Sequence, residues 1–512
     1  MKKKRNVFLY IFLLSILFKP LWLFEINNIS PSDDLSYWLH SSTIALDFDV
    51  NYIDDHNLNH YTIHPETNAP FHPPGSGYAN APFVYLFNQF DKLTNTQFDR
   101  LNPTGSFSFI GYFVGTLFYC LVAFYLLKKI INHNKYKNYE ILYLIIFLST
   151  LVHFISGRFL MAHSFEFFLC SFLIYIYETR RELNDPKNFS LLVLIYFLLS
   201  ITRPSTFIYS LCLVGIYYDS FRPLKINKQN FLNLNLFILF IVFYVYLANQ
   251  LYQQNTIFLN VSNSLFLNDY ANLINFTNLI DGFKKFPNFI FSTSMGIIWI
   301  MPTVVFLLYV TVNPKVYFRN LNKIKYLSFL LYIFGCFIVL FIWQGKDVSY
   351  GQRLLIGLLP FSFVVISSVK IKYQKIFGGY FILLYTSYLY FYSPNLTLEK
   401  GTTLWGTVVD FAPTNYFSNL FAYFYQVENI LYILLKNIYA INFIKFTGFQ
   451  NSNFAKNIFT TLPEDSYTKL IELINIYSNV ETIYLISVNL VIFIFLYLLI
   501  EKIIFKKETI IN

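Results

Sequence analysis

Two adjacent carboxylates, Asp33 and Asp34, stand just beyond the first apolar run of membrane length, within Ser-Pro-Ser-Asp-Asp-Leu-Ser-Tyr-Trp at residues 30–38. Carboxylates at the edge of a bilayer add nothing to membrane packing. They are suited to take a proton from a reacting hydroxyl, the work of a general base. Pro31 and Ser32 fit a helix start, and acids in a first turn are favoured by the positive end of the helix dipole. The stretch is therefore expected to open an amphipathic helix. The bland alternative is that the pair only caps that helix.

Three further constellations could do chemistry. His72-Pro73-Pro74-Gly75-Ser76-Gly77, followed by Ala81-Pro82, combines prolines that fix backbone angles with glycines that permit close approach, and is expected to form a rigid ledge. Arg203 stands in Ile-Thr-Arg-Pro-Ser-Thr. Arg353 closes the run Trp343-Gln-Gly-Lys346-Asp347-Val-Ser-Tyr350-Gly351-Gln352-Arg353. An arginine at a bilayer edge can snorkel, or it can clamp a phosphate through its planar fork. With Lys346, Tyr350 and two glycines beside it, the Arg353 run reads as a pocket for an anionic headgroup. Arg158, His163 and Glu166 flank a short turn between apolar runs, and Arg158 and Glu166 are expected to neutralise each other. His56, His60 and His64 recur every fourth residue, but Asn57, Asn59 and Pro65 argue against the helix a metal site would need, so a solvated loop is expected. Asp33, Asp34 and a later acid could hold a divalent cation through oxygen ligands.

The elements that must position these residues are membrane helices. The chain of 512 residues is 55% hydrophobic and only 13% charged, against about 25% charged in a soluble domain. Apolar runs recur throughout, at approximately 6–25, 106–127, 139–156, 160–177, 189–202, 204–218, 231–251, 291–311, 325–343, 354–369, 376–392 and 482–501. The fold class expected is an all-α polytopic membrane protein of about twelve transmembrane helices. Every second connecting segment, counted from the N-terminus, carries three or four Lys or Arg, and these segments are short. That asymmetry places both termini in the cytoplasm. It also accounts for the net charge of +10 without nucleic acid as a partner. Cys120, Cys170, Cys212 and Cys336 all fall within apolar runs and read as buried hydrophobes, not a disulfide framework. The basic N-terminus followed by an apolar run lacks a small-residue cleavage site and reads as a retained first helix.

Residues 1–392 are expected to form a transmembrane catalytic module whose large first outer loop, 26–105, holds the site. A late outer segment, 393–481, precedes a last transmembrane helix and cytoplasmic tail at 482–512. Outer segments of such length usually carry function.

The ordered set of an Asp-Asp-x-x-Tyr after the first span, a Pro-Pro-Gly ledge, an Arg-Pro pair, and a late Gly-Gln-Arg-Leu-Leu before a proline-containing span resembles the GT-C class of integral membrane glycosyltransferases. That class includes bacterial lipid-A aminoarabinose transferases and protein O-mannosyltransferases. The resemblance covers about residues 1–370. It implies transfer of a sugar from a polyprenyl-phosphate donor to a lipid, glycan or protein acceptor at the periplasmic face of a bacterial inner membrane. It also implies that Asp33 is the base, Asp34 the orienting partner and Tyr37 the matching tyrosine. Several relatives carry Asp-Glu at the pair, which leaves open which carboxylate is the base. The family's ledge often reads Pro-Pro-Leu, a departure here at Gly75. His72 and Tyr37 would line the substrate site. Arg353, Lys346 and Arg203, with Tyr350 alongside, would hold the departing lipid phosphate as it gains charge. A monophosphate donor needs a metal less than a nucleotide diphosphate does, and no cofactor is implied beyond the divalent cation that the acids could take. Two rival readings remain. O-antigen-type polymerases or ligases place their large loop late, and flippases or transporters tend to show half-repeats, of which the chain has none.

Overall fold

Where the sequence alternates apolar runs with short basic segments, the computed structural model builds helices. It describes residues 33–52, 70, 72–101, 103, 105–134, 151, 154–155, 158–180, 183, 185–221, 228–251, 276–284, 286, 290, 297, 301–318, 322–342 and 353–367. The chain divides into two compact units, Met1–Ile26 with Ile382–Asn512, and Asn27–Phe381, and every described residue belongs to the second.

The helices are α1 Asp33–Asp47, α2 Gly75–Thr94, α3 Phe107–His133, α4 His163–Thr179, α5 Pro186–Thr202, α6 Pro204–Ser210, α7 Leu213–Ile216, α8 Lys228–Leu251, α9 Phe276–Lys284, α10 Pro302–Val312, α11 Lys323–Ile342 and α12 Leu359–Ser367; a 3-10 turn, Arg353–Leu358, leads into α12. No strand occurs among the described residues. Pro186, Pro204 and Pro302 each open a helix, where the missing N–H costs nothing.

Helices fall on the expected spans that begin near residues 106, 160, 189, 204, 231, 291, 325 and 354. The run at 204–218 is broken into α6 and α7, and that at 291–311 is helical from Pro302. The runs at 6–25, 376–392 and 482–501, and nearly all of 139–156, lie outside the described residues. Two helices, Phe107–His133 and Lys323–Phe341, are long and apolar enough to cross a membrane. On α11 one side exposes Ile324, Leu327, Leu331, Phe334 and Ile338 in a continuous stripe, while Phe329, Tyr332, Cys336 and Leu340 on the other are buried. On α8, Phe231, Leu234, Ile238, Leu239 and Val242 are exposed. Apolar surface of this extent is foreign to a soluble monomer.

The outer-loop sequence condenses into α1 and α2 packed on α3. The expectation of an amphipathic α1 is corrected: Leu35 through Thr43 are all buried, polar residues included, because α1 is covered on several sides. The ledge expectation is corrected as well. Gly75 begins a helix, and Pro82 lies inside it. α2 ends at Asn95, which takes the left-handed conformation that asparagine tolerates.

Small residues make the contact between α2 and α3 close. A Cβ on Gly111 would fall 2.6 Å from the Phe83 carbonyl oxygen, and one on Gly115 would fall 2.2 Å from Asn80 Oδ1. This is the Gly-x-x-x-Gly spacing that lets helix backbones approach. Tyr119 donates to the Ala79 carbonyl at 2.6 Å, while Asp91 Oδ1 accepts from the Phe107 N–H and Oδ2 from the Ser108 N–H. Residue 91 thus meets residue 107 and residue 79 meets residue 119, so α2 runs antiparallel to the first half of α3. Asp91 caps that helix from a neighbouring element, supplying acceptors for two of its orphan N–H groups.

Candidate functional site

Asp34, on the first turn of α1, is buried. Its Oδ2 accepts a hydrogen bond from Arg158 Nε at 3.0 Å, and Arg158 is buried too. Arg158 stands in the turn before α4. Two hydroxyls of α3 hold the backbone of that turn: Thr116 donates to the Phe159 carbonyl at 2.9 Å and Tyr112 to the Leu160 carbonyl at 2.9 Å. Tyr112 and Thr116 lie five and nine residues into α3, so at 1.5 Å per residue this turn sits about 10 Å below the start of α3. Asp33 begins α1, and its side chain lies outside the described part of the structure.

One turn further along α1, the Tyr37 ring stacks on His72 with centroids 5.3 Å apart. His40 joins this junction, a residue the sequence reading did not single out. Its Nε2 donates to the His72 carbonyl at 2.7 Å, which leaves Nδ1 to accept from the Tyr52 hydroxyl at 2.5 Å. The Tyr78 ring closes on His40 from α2. Burial pushes the Tyr78 hydroxyl up, offset in part by its hydrogen bond with Tyr52. Behind them Trp38 is fully buried and donates to the Arg100 carbonyl at 2.8 Å. Arg100 in turn is ion-paired with Asp47 at the far end of α1, with Nη2 2.6 Å from Oδ1.

The His72-Pro-Pro-Gly segment is pressed between two elements. A Cβ on Gly77 would fall 2.6 Å from His40 Cβ and 2.7 Å from the Tyr37 carbonyl oxygen. A Cβ on Gly75 would fall 2.3 Å from Thr202 Oγ1 and 2.8 Å from the Ile201 carbonyl oxygen. Only glycine lets the start of α2 lie against both α1 and the end of α5. Thr202 is the last residue of α5, and Arg203 follows it. Arg203 has extended backbone angles, φ −147° and ψ 87°, as the following proline demands.

Arg203 reaches Glu166, on the first turn of α4, with Nε 3.4 Å from Oε2. The same Oε2 lies 3.1 Å from His163 Nδ1, and Oε1 accepts from the Thr206 hydroxyl. Tyr209 donates to Thr206 Oγ1 at 3.3 Å. The expectation that Arg158 and Glu166 neutralise each other is therefore corrected: Arg158 pairs with Asp34, and Glu166 with His163 and Arg203. The helix start between them sends the two side chains to different neighbours.

Arg353 begins the 3-10 turn, and that turn rests on the same hydroxyls. A Cβ on Gly357 would fall 2.0 Å from the Tyr209 hydroxyl and 2.9 Å from Thr206 Cγ2. The Gly357 carbonyl accepts from Tyr332 at 3.1 Å, and Leu354 to Leu358 are buried.

The structure thus brings Asp34, Tyr37, His72, Arg203 and the Arg353 turn around the starts of α1, α2 and α4 and the end of α5. Lys346 and Tyr350 lie outside the described residues, as do His56, His60 and His64. Among the described residues no group of three or more His, Cys, Asp or Glu gathers as metal ligands do. Sequence reading missed His40, Thr202, Thr206 and the pairing of Arg158. The one local signal was His40-Ser41-Ser42-Thr43, four consecutive polar residues inside a helix. Such a run needs buried partners.

An acid held by an arginine, a stacked Tyr–His pair and a second arginine fixed at a helix break can bind a polar ligand and steady an anionic one. The chain matches no protein-family model and no curated protein.

Proposed function

We propose that the chain is a polytopic membrane glycosyltransferase of the GT-C type. It moves a sugar from a polyprenyl-phosphate carrier to a lipid, glycan or protein acceptor at the periplasmic face of a bacterial inner membrane. The observation that carries this reading is the pair of close contacts at the start of α2. Gly77 packs there on the helix bearing the carboxylate pair, and Gly75 packs on the segment bearing Arg203, so one short stretch touches both.

Depth supports the same reading. α3 has 27 residues, a length of about 40 Å, whereas the hydrocarbon core is about 30 Å thick. The expected span of 106–127 leaves Lys128 to His133 beyond the hydrocarbon on the cytoplasmic side and puts the start of α3 at the periplasmic boundary. The site, near that end of α3, then lies by the hydrocarbon boundary, where the phosphate of a lipid carrier resides while its isoprenoid tail stays in the bilayer.

In this mechanism Asp33 accepts the proton of the acceptor hydroxyl as it attacks the anomeric carbon. Asp34, with one oxygen committed to Arg158, fixes the first turn of α1. The buried Tyr37 ring backs the partly exposed His72 ring, which meets the sugar. Arg203 and Arg353, with Lys346, balance the charge left on the departing polyprenyl phosphate.

The test is transfer of a radiolabelled sugar from polyprenyl-phosphate donors in membranes containing the wild type or Asp33→Asn, with and without EDTA. Transfer by the wild type and its loss in the variant would support the reading. No transfer from a panel of such donors would sink it. Activity abolished by EDTA and restored by Mg²⁺ or Mn²⁺ would add a divalent cation at the acid pair, while activity unchanged by EDTA would remove it.

A further inference from the structure

Glu166 has no part in the chemistry above, yet three other residues, His163, Arg203 and Thr206, engage it. It is fully buried, and both its oxygens have partners on other residues. We infer that Glu166 is a positioning residue that sets the aim of Arg203 on the donor phosphate, an inference that rests on the reading of Arg203 as a phosphate clamp.

Apart from His163, the partners of Glu166 come from the break between α5 and α6. Arg203 is the residue at which the backbone leaves the helix, and Thr206 follows one turn later. An arginine at such a break could take many rotamers, and holding it in one carries an entropic cost. A carboxylate whose Oε2 lies 3.4 Å from its Nε holds the guanidinium near by charge. The terminal nitrogens are the part of the fork that continues toward a ligand. Arg203 remains 11% exposed where Glu166 is sealed, so the gripping group is hidden and the gripped group is reachable.

The Thr206 hydroxyl fixes the other Glu166 oxygen, and the Tyr209 hydroxyl fixes Thr206. Gly357 packs on this Thr–Tyr pair. The turn that begins with Arg353 is therefore registered to the same carboxylate as Arg203. The segments that carry the two arginines thus pack on residues that touch one buried acid.

The test compares wild type, Glu166→Gln, Arg203→Lys and the double variant for donor KM and kcat, and for retention of polyprenyl phosphate without its sugar. Glutamine keeps the size but loses the charge. Glu166→Gln should raise the donor KM about tenfold while kcat changes less than about twofold. In the Arg203→Lys background the same change should add little, since it acts through the arginine. Equal effects in both backgrounds, or none in either, would overturn the inference while leaving the transferase reading intact. A wild type that neither transfers nor retains polyprenyl phosphate would overturn both. Should the glutamine variant fail to fold, Thr206→Val removes one hydrogen bond to Glu166 and keeps its charge. It should raise donor KM about threefold, and an unchanged KM would count against the inference.

Discussion

The carboxylate of Asp34 and the guanidinium of Arg158, 124 positions apart in sequence, meet at 3.0 Å with both side chains buried. In the proposed mechanism Asp34 is thereby a structural acid and Asp33 the base. Removing one member of a buried ion pair leaves the other charged and without compensation, at about 3–5 kcal/mol. Asp34→Asn should therefore lower thermal stability in detergent by an amount of that order. Asp33→Asn should leave stability near wild type and lower kcat about 10²- to 10⁴-fold, the range of a lost general base. Replacing both members of the pair with apolar groups, Asp34→Leu with Arg158→Met, should restore much of the stability lost by either alone. A stable, inactive Asp34→Asn beside a fully active Asp33→Asn would reverse the assignment.

Gly75 is a second point where the fold leaves no slack. Its Cβ would strike the Thr202 side chain and also the Ile201 backbone, and backbone cannot rotate away. Gly75→Ala should cost about 1–3 kcal/mol through overpacking and shift the start of α2 away from Arg203. Adding Thr202→Ala removes only the side-chain clash, so recovery should be partial. Thermal unfolding read together with donor KM tests this. Full tolerance of Gly75→Ala would mean that α2 and α5 are not in contact there.

Much of the site could be read from the sequence because its chemistry is local. Asp33, Asp34 and Tyr37 sit within one turn and a half of helix, and Arg203 announces itself beside a proline. The pairings could not be read. Arg158 and Glu166 are near neighbours in the chain with opposite charges, yet α4 begins between them and each turns to a remote partner. Those partners are set by how helices pack, which the charges do not reveal. The glycines carried that information less visibly. Gly111 and Gly115 form a spacing that signals close helix contact, and they place α2 along α3. The ledge was misread because paired prolines suggest a stiff loop, whereas here Pro74 immediately precedes a helix and Gly75 is its first residue. Proline is well suited to that boundary.

His40 ties α1 to the ledge through one ring nitrogen and to Tyr52 through the other. His40→Phe keeps the ring but loses both hydrogen bonds, stranding the His72 carbonyl. A cost of about 1–3 kcal/mol is expected, with loosening of the Tyr37–His72 stack and a higher KM for the sugar donor. His40→Gln can still donate from its amide to that carbonyl and should be the milder change. Should the two variants be equally damaging, the ring's packing on Tyr78 would matter more than its hydrogen bonds.

Asp91 gives a pH dependence with a defined sign. Burial raises its pKa above the usual carboxylate value, and the Ser108 hydroxyl with the Phe107 and Ser108 N–H groups offset only part of that rise. A folded-state pKa above the unfolded one means that the folded protein binds more protons between the two values. The stabilising contribution of this carboxyl is then fully present below its unfolded pKa, about 3.9, and diminishes as pH rises through the folded pKa. Asp91→Ala removes the acceptors that cap α3 and should cost roughly 1–2 kcal/mol. The stability gap between wild type and Asp91→Ala should be wider near about pH 4.5 than near about pH 7.5, since the other titrating groups cancel in the comparison. Thermal unfolding of both proteins in the same detergent at the two pH values measures it. A gap that grows as pH rises would mean that the hydrogen bonds to the ionised carboxylate outweigh its burial.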